Sequence, residues 1–239
     1  MINRVLLYYR LSEILIPNSG KKIKNIHLAV YPPDGHVHVS VPDYCNEEDL
    51  RAYLLSKMTW IRRQQTEIQE QERETRRDYV SGENHYLFGK RYILRVIEEE
   101  AAPHIETDHK YILMYVRPGA TREKRMEVLH EYYRHELQHK LEELFPKWMQ
   151  KMDAHDFTWT ILAMKTQWGS CMQKKREIRM NLALARVPAE CIEYIIVHEM
   201  AHLRVRLHNK MFENLLSIYM PNWRKLRQQL NEFVSVPLI

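Results

Sequence analysis

Residues 188–208, PAECIEYIIVHEMAHLRVRLH, decide how this chain is read. They contain His198-Glu199-Met200-Ala201-His202, and on a helix positions four apart share a face. Both histidines can then reach one metal ion, while Glu199 reaches a water activated by it. Ile195-Ile196-Val197 precede the pair, and Ala201 and Leu203 flank its second histidine. That pattern describes a helix sunk in a core, with Pro188 near its start, where proline is favoured.

A second H-E-x-x-H occurs at His135-Glu136-Leu137-Gln138-His139, and the 13 histidines of the chain make a chance match easier. Its neighbours Glu131, Arg134 and Lys140, with Gln138 inside, describe a solvated face, and Lys140 would set a cation beside a dication. It is expected to be a coincidence of an amphipathic helix.

A hydrolytic metal site needs a third protein ligand and an open fourth position. His208 lies six residues past His202, about 240° away from the pair if the helix simply continued. The helix must therefore end near Arg204 and turn back. Metzincins place glycine at that turn; here the position is Val205, a poor left-handed residue, so a different turn is required. Glu213 is the alternative third ligand, and His208 is preferred.

Around this stretch the composition is that of an ordinary globular protein. The chain has 239 residues, 45% hydrophobic and 28% charged, with a formal net charge of +5. A pI of about 9.0 tolerates an anionic partner without demanding one. Three cysteines without C-x-x-C spacing support neither a disulfide framework nor a zinc ribbon. No run of about 18 apolar residues and no leader pattern are read, so no membrane partner and a cytoplasmic location are expected. Nothing in the sequence sets the oligomeric state.

An α+β fold is expected, with a small antiparallel or mixed sheet packed on the helix of residues 188–202. Residues 1–80 read as a β-hairpin (26–41) and a long helix from about Glu47 to about Arg77, its second half densely charged. Residues 81–152 read as strands at 86–88, 92–96 and 111–116, separated by an acidic loop. A helix follows from about Thr121 to Met152, with Pro146 as a break or kink. Residues 153–239 read as strands at 159–164 and 178–184, a loop at 168–171, and helices divided at Pro221. The three segments are expected to form one compact unit.

Trp168-Gly169-Ser170-Cys171, Ile178-Arg179-Met180-Asn181-Leu182, Glu193 to Leu203, His208 with Phe212, and Pro221 together resemble the YgjP-like metallopeptidase family. The N-terminal hairpin, Lys57-x-x-Trp60-Ile61 and Gly82-Glu83 also fit, so the resemblance covers most of the chain. It departs at Met200, where Leu is commoner, and in the charged helix at 62–77. The resemblance implies a zincin-like core, metal ligands His198, His202 and His208, and Glu199 as general base. It also implies that strands 159–164 and 178–185 pack over the metal helix. Zn²⁺ is the expected ion, with Ni²⁺ or another divalent metal as alternatives, since imidazole serves several.

The leading substrate is a peptide. The cations Lys165, Lys174, Lys175, Arg176, Arg179, Arg204 and Arg206 would also welcome phosphate. The family is linked with nucleotide hydrolysis, so a metal-dependent UTP pyrophosphohydrolase is the second reading. A SprT-like protein working on nucleic acid is the third. Asn181, Arg179, Arg204 and Arg206 are the candidate substrate-binding residues.

Overall fold

A computed structural model describes residues 14–15, 25–31, 35–42, 44–70, 77–164 and 167–233. The chain divides into two compact units, Met1–Arg73 and Glu74–Ile239.

In the first unit, strands β2 (His27–Tyr31) and β3 (His36–Ser40) form the expected antiparallel hairpin, and β1 (Ile14–Leu15) pairs with β3 in parallel. The turn residues 32–34 lie outside the described residues. Alternation along β3 buries Val37 and Val39 against Leu50, Leu54 and Ile61 of helix α1 (Glu47–Glu70). Asn46 accepts the Asp49 backbone N–H at 2.8 Å, and three acids fill the first turn, so the helix start is capped and matched to its dipole. The helix is described as far as Glu70, short of the expected end near Arg77. Residues 71–76 fall outside the description, and 77–80 carry no helix.

The second unit holds two small sheets. β4 (Asn84–Leu87), β5 (Lys90–Glu98), β6 (His104–Thr107) and β7 (Tyr111–Val116) assemble in the order β4-β5-β7-β6. The sequence placed an acidic loop where β6 lies. This short edge strand is mostly exposed, so it shows no apolar alternation, and only its antiparallel pairing with β7 defines it. β8 (Thr158–Leu162), β9 (Gly169–Met172) and β10 (Glu177–Asn181) form the other sheet in the order β8-β10-β9.

Helix α2 (Arg122–Met152) is capped by Thr121, whose hydroxyl accepts the Lys124 N–H. It runs unbroken through Pro146, where a break or kink was expected. Proline removes one helical hydrogen bond, but Leu144, Phe145, Trp148 and Met152 are buried on both sides of it, and that packing carries the helix across. The run 182–185, read as the end of a strand, is instead a 3-10 turn (Leu182–Arg186). Asn181 caps it by accepting the Ala183 N–H. Beyond it come α3 (Ala189–His202), α4 (Lys210–Tyr219) and α5 (Trp223–Glu232), with Pro221 between the last two as expected. One core joins both sheets, α2 and these three helices, which bears out the α+β class. None of the described helices is long and apolar enough to cross a membrane.

One turn fixes where α3 begins. β4 and β5 are joined by Phe88 and Gly89 alone, both left-handed (φ 49° and 80°), as a two-residue hairpin loop requires. The Phe88 N–H donates to the Ala185 carbonyl at 2.8 Å and the Gly89 N–H to the Arg186 carbonyl at 3.2 Å. A β-carbon at Gly89 would lie 2.8 Å from Pro188 Cγ and 3.1 Å from its Cα. Gly89→Ala therefore meets a disfavoured backbone and a crowded neighbour together. We expect it to lose at least about 2 kcal/mol, read as a shift of the urea midpoint at constant slope.

Candidate metal centre

Helix α3 is apolar almost all round: Cys191, Ile192, Tyr194 to Val197, Met200 and Ala201 are all buried. Its partly exposed face carries His198 and His202, one turn apart. After His202 the chain folds over at Leu203 and Arg204, whose N–H groups donate to the Met200 and Ala201 carbonyls. Leu203 keeps right-handed helical angles, and Val205 is not among the residues with positive φ. The turn thus closes without the left-handed residue that glycine would supply, as the sequence required.

The returning chain delivers His208. Its Nε2 lies 3.0 Å from His198 Nε2 and 3.1 Å from His202 Nε2. A tetrahedral ion with bonds of about 2.0–2.1 Å sets its ligand nitrogens about 3.3 Å apart, close to these two distances, and the ligand atoms of all three lie within 4.8 Å of one another. Among the described residues this is the one group of three such side chains that could share an ion. Glu213, the alternative, instead pairs with Arg224 at 3.1 Å. Asn209 accepts the Phe212 N–H and starts α4 directly behind His208.

The protonation chemistry of the cluster fits a cation. His202 Nδ1 lies 3.0 Å from the Val205 carbonyl. A carbonyl only accepts, so Nδ1 carries the hydrogen and Nε2 is left as a lone pair facing the other two rings. Burial pushes His198 down to about 3, helped by His202 and His208, and burial also lowers His202. Neutral imidazole is the ligating form. Three imidazole nitrogens meeting edge to edge cannot all donate to one another, and a shared cation would satisfy them together.

Phe212, 2% exposed, is the floor of this cluster. Its ring centroid is 4.5 Å from that of His202, nearly parallel, and 4.9 and 4.8 Å from those of His198 and His208. The sequence reading placed Phe212 in a block without giving it a task. Tyr194, one turn before His198, meets that ring edge to face at 5.8 Å.

Glu199 is 5% exposed, and burial pushes its carboxyl up to about 8. A dication a few ångströms away would reverse that shift and restore the carboxylate. β9 lies directly against it. A β-carbon at Gly169 would sit 2.8 Å from Glu199 Cγ, 2.9 Å from Oε1 and 3.0 Å from Ile195 Cγ2. The segment read as a loop is therefore a strand whose glycine admits the carboxylate. It was missed because four residues beginning Gly-Ser show no apolar alternation. It is also β9, rather than the two strands named from the resemblance, that meets the metal helix here. Burial, then Glu199, pushes the Cys171 thiol up to about 11, and Cys171 does not join the three histidines as a group that could share an ion.

These groups border a cleft of about 510 Å³, lined by Gly169, Ser170, Cys171 and Tyr194, by the three histidines and Glu199, and by Arg206 and Arg227. Of the candidate substrate-binding residues, only Arg206 lines it. Asn181 is fully buried: its amide donates to the Met164 and Gln167 carbonyls and its oxygen accepts the Ala183 N–H, so it holds the scaffold. Arg179 pairs with Glu177 at 2.8 Å. Arg204 donates to the Met152 and Asp153 carbonyls and so caps the end of α2. Arg176 pairs with Asp156 at 2.9 Å. Lys174 and Lys175 do not line the cleft, and Lys165 lies outside the described residues.

The first H-E-x-x-H lies on the long helix α2. His135 and His139 sit on α2, their rings 4.1 Å apart, and His135 is mostly exposed. Lys140 pairs with Glu143, and no third ligand joins the two histidines among the described residues.

No curated protein matches this chain. Among solved structures, one similar to it is the metallopeptidase zymogen of Methanocaldococcus jannaschii jannalysin, at 20% identity and a TM-score of 0.36, covering 38% of this chain and 94% of that one. The profile of the YgjP-like metallopeptidase domain matches residues 24–233, nearly the whole chain. The chain belongs to the YgjP-like metallopeptidase domain family, and is a hydrolase of the metallopeptidase type.

Proposed function

We propose that this protein hydrolyses peptide bonds with a divalent ion, Zn²⁺ in the first instance, held by His198, His202 and His208, and with Glu199 as general base. The observation that carries the reading is the convergence of three imidazole nitrogens beside a buried carboxyl in one cleft. When bound, the ion supplies positive charge that acidifies water and polarises the scissile carbonyl.

The chain's own groups do the rest. The Val205 carbonyl holds the His202 tautomer, and Phe212 sets the planes of all three rings. Glu199, ionised beside a cation, takes a proton from the attacking water and passes it to the leaving amine. β9 is an edge strand of its sheet, and its residues 169–171 border the cleft. Among the described residues its outer edge has no partner strand, which supports a substrate bound in extended form by backbone hydrogen bonds.

The second reading, hydrolysis of UTP to release pyrophosphate, is favoured by the cationic side chains on the cleft, Arg206 and Arg227. The deciding experiment is a parallel screen of metal-loaded protein and Glu199→Gln on unfolded proteins and nucleoside triphosphates. Peptide cleavage lowered by about 10²–10⁴-fold in the variant, with metal retained, is the expected result. Pyrophosphate release lost in the variant, without proteolysis, would replace the peptide reading.

Two further outcomes are expected. His198→Ala and His202→Ala each lose bound metal by elemental analysis, whereas His135→Ala and His139→Ala keep it; the opposite pattern would move the centre to α2. Gly169→Ala forces Glu199 out of place and should cut turnover by about 10²-fold with metal content unchanged.

A further inference from the structure

The cations of the second unit are not equivalent. Arg176, Arg179 and Arg224 face carboxylates, and Arg204 is spent on the carbonyls that end α2. Arg206 and Arg227 differ in two respects. Both line the cleft, and neither has an ion-pair or hydrogen-bond partner among the described residues. They approach from two walls: Arg206 from the turn between His202 and His208, Arg227 from α5. Asn231, one turn after Arg227, lines the cleft as well.

The charge balance of the cleft is one-sided. Glu199 is the only carboxylate among the described residues that line it, and it belongs to the proposed metal centre. Two guanidinium groups without partners, flanking a cation site, leave the cleft in need of an anion. A guanidinium fork matches a carboxylate with two parallel hydrogen bonds.

We propose that Arg206 and Arg227 are the specificity subsite of this cleft and take a carboxylate of the peptide substrate, from an acidic side chain or from the chain terminus. The inference rests on the peptidase reading and adds the class of peptide to it. It assigns the attraction for anions to two residues from different elements, one of them on a helix remote in sequence from the metal ligands.

The test uses metal-loaded full-length Glu199→Gln, so that binding is read without turnover, and matched fluorescent peptides on one neutral core. One peptide is neutral with an amidated end, one carries an internal Asp with an amidated end, and one is neutral with a free terminus. At least one carboxylate-bearing peptide should bind about tenfold more tightly than the neutral one, and which of them does so names the source. Adding Arg206→Gln or Arg227→Gln should reduce that preference to about twofold or less. Lys225→Gln, the same charge loss on α5 outside the cleft lining, should leave it intact. Equal binding of all three peptides, or a preference that survives both arginine substitutions, overturns the inference. Neutral peptides cut by the wild-type enzyme as fast as acidic ones would sink the subsite and spare the peptidase reading. Tight arginine-dependent binding of UTP, with no peptide bound or cut, would sink both.

Discussion

The arrangement depends on one reversal of the chain. A helix can present two histidines to one point, but a third six residues on would face away if the helix continued. The fold at Leu203 and Arg204 ends α3 at the second ligand, and the Val205 carbonyl then faces the ring of His202. The same short segment thus stops the helix, orients one ligand and delivers another. Phe212 follows four residues later and backs all three rings, so the start of α4 is set by the same reversal.

Burial supplies the remaining chemistry. The core that sinks α3 removes water from His198 and Glu199, and both lean towards their neutral forms in the protein alone. A histidine that resists protonation is a ready ligand, while a carboxyl that resists ionisation waits for a nearby cation to restore its charge. One desolvated environment therefore prepares two unlike groups for a single ion. β9 completes it by lying so close to Glu199 that only a residue without a side chain fits at position 169.

Much of this was legible in the sequence, and the failures share a cause. The buried helix carrying His198 and His202, the return of the chain to His208 and the solvated setting of the α2 pair could be read because helical spacing and the polarity of flanking residues are local signals. The hairpin of the first unit and the helix boundary at Pro221 were equally local. β6 and β9 were not legible, because short edge strands are defined by a partner distant in sequence. Pro146 reads as a break or kink because its local cost is plain, whereas the burial of Phe145 and Trp148 that keeps the helix unbroken there is tertiary. The arginines were hardest. Charge can be counted in a sequence, but whether Arg204 ends a helix or Arg206 faces a cleft depends on what lies opposite, and Arg227 gave no signal at all.

The division of the ligands between a helix and the segment that follows it has a consequence for folding. His198 and His202 are fixed by α3, while His208 stands beyond the turn at Leu203. An ion shared by all three acts as a cross-link closing a short loop, and it ties the start of α4 to the end of α3. The free energy of coordination is then spent partly on restricting the chain between them, as in any small metal clip. Resistance to unfolding and readiness for chemistry would rise and fall together with the concentration of the free ion.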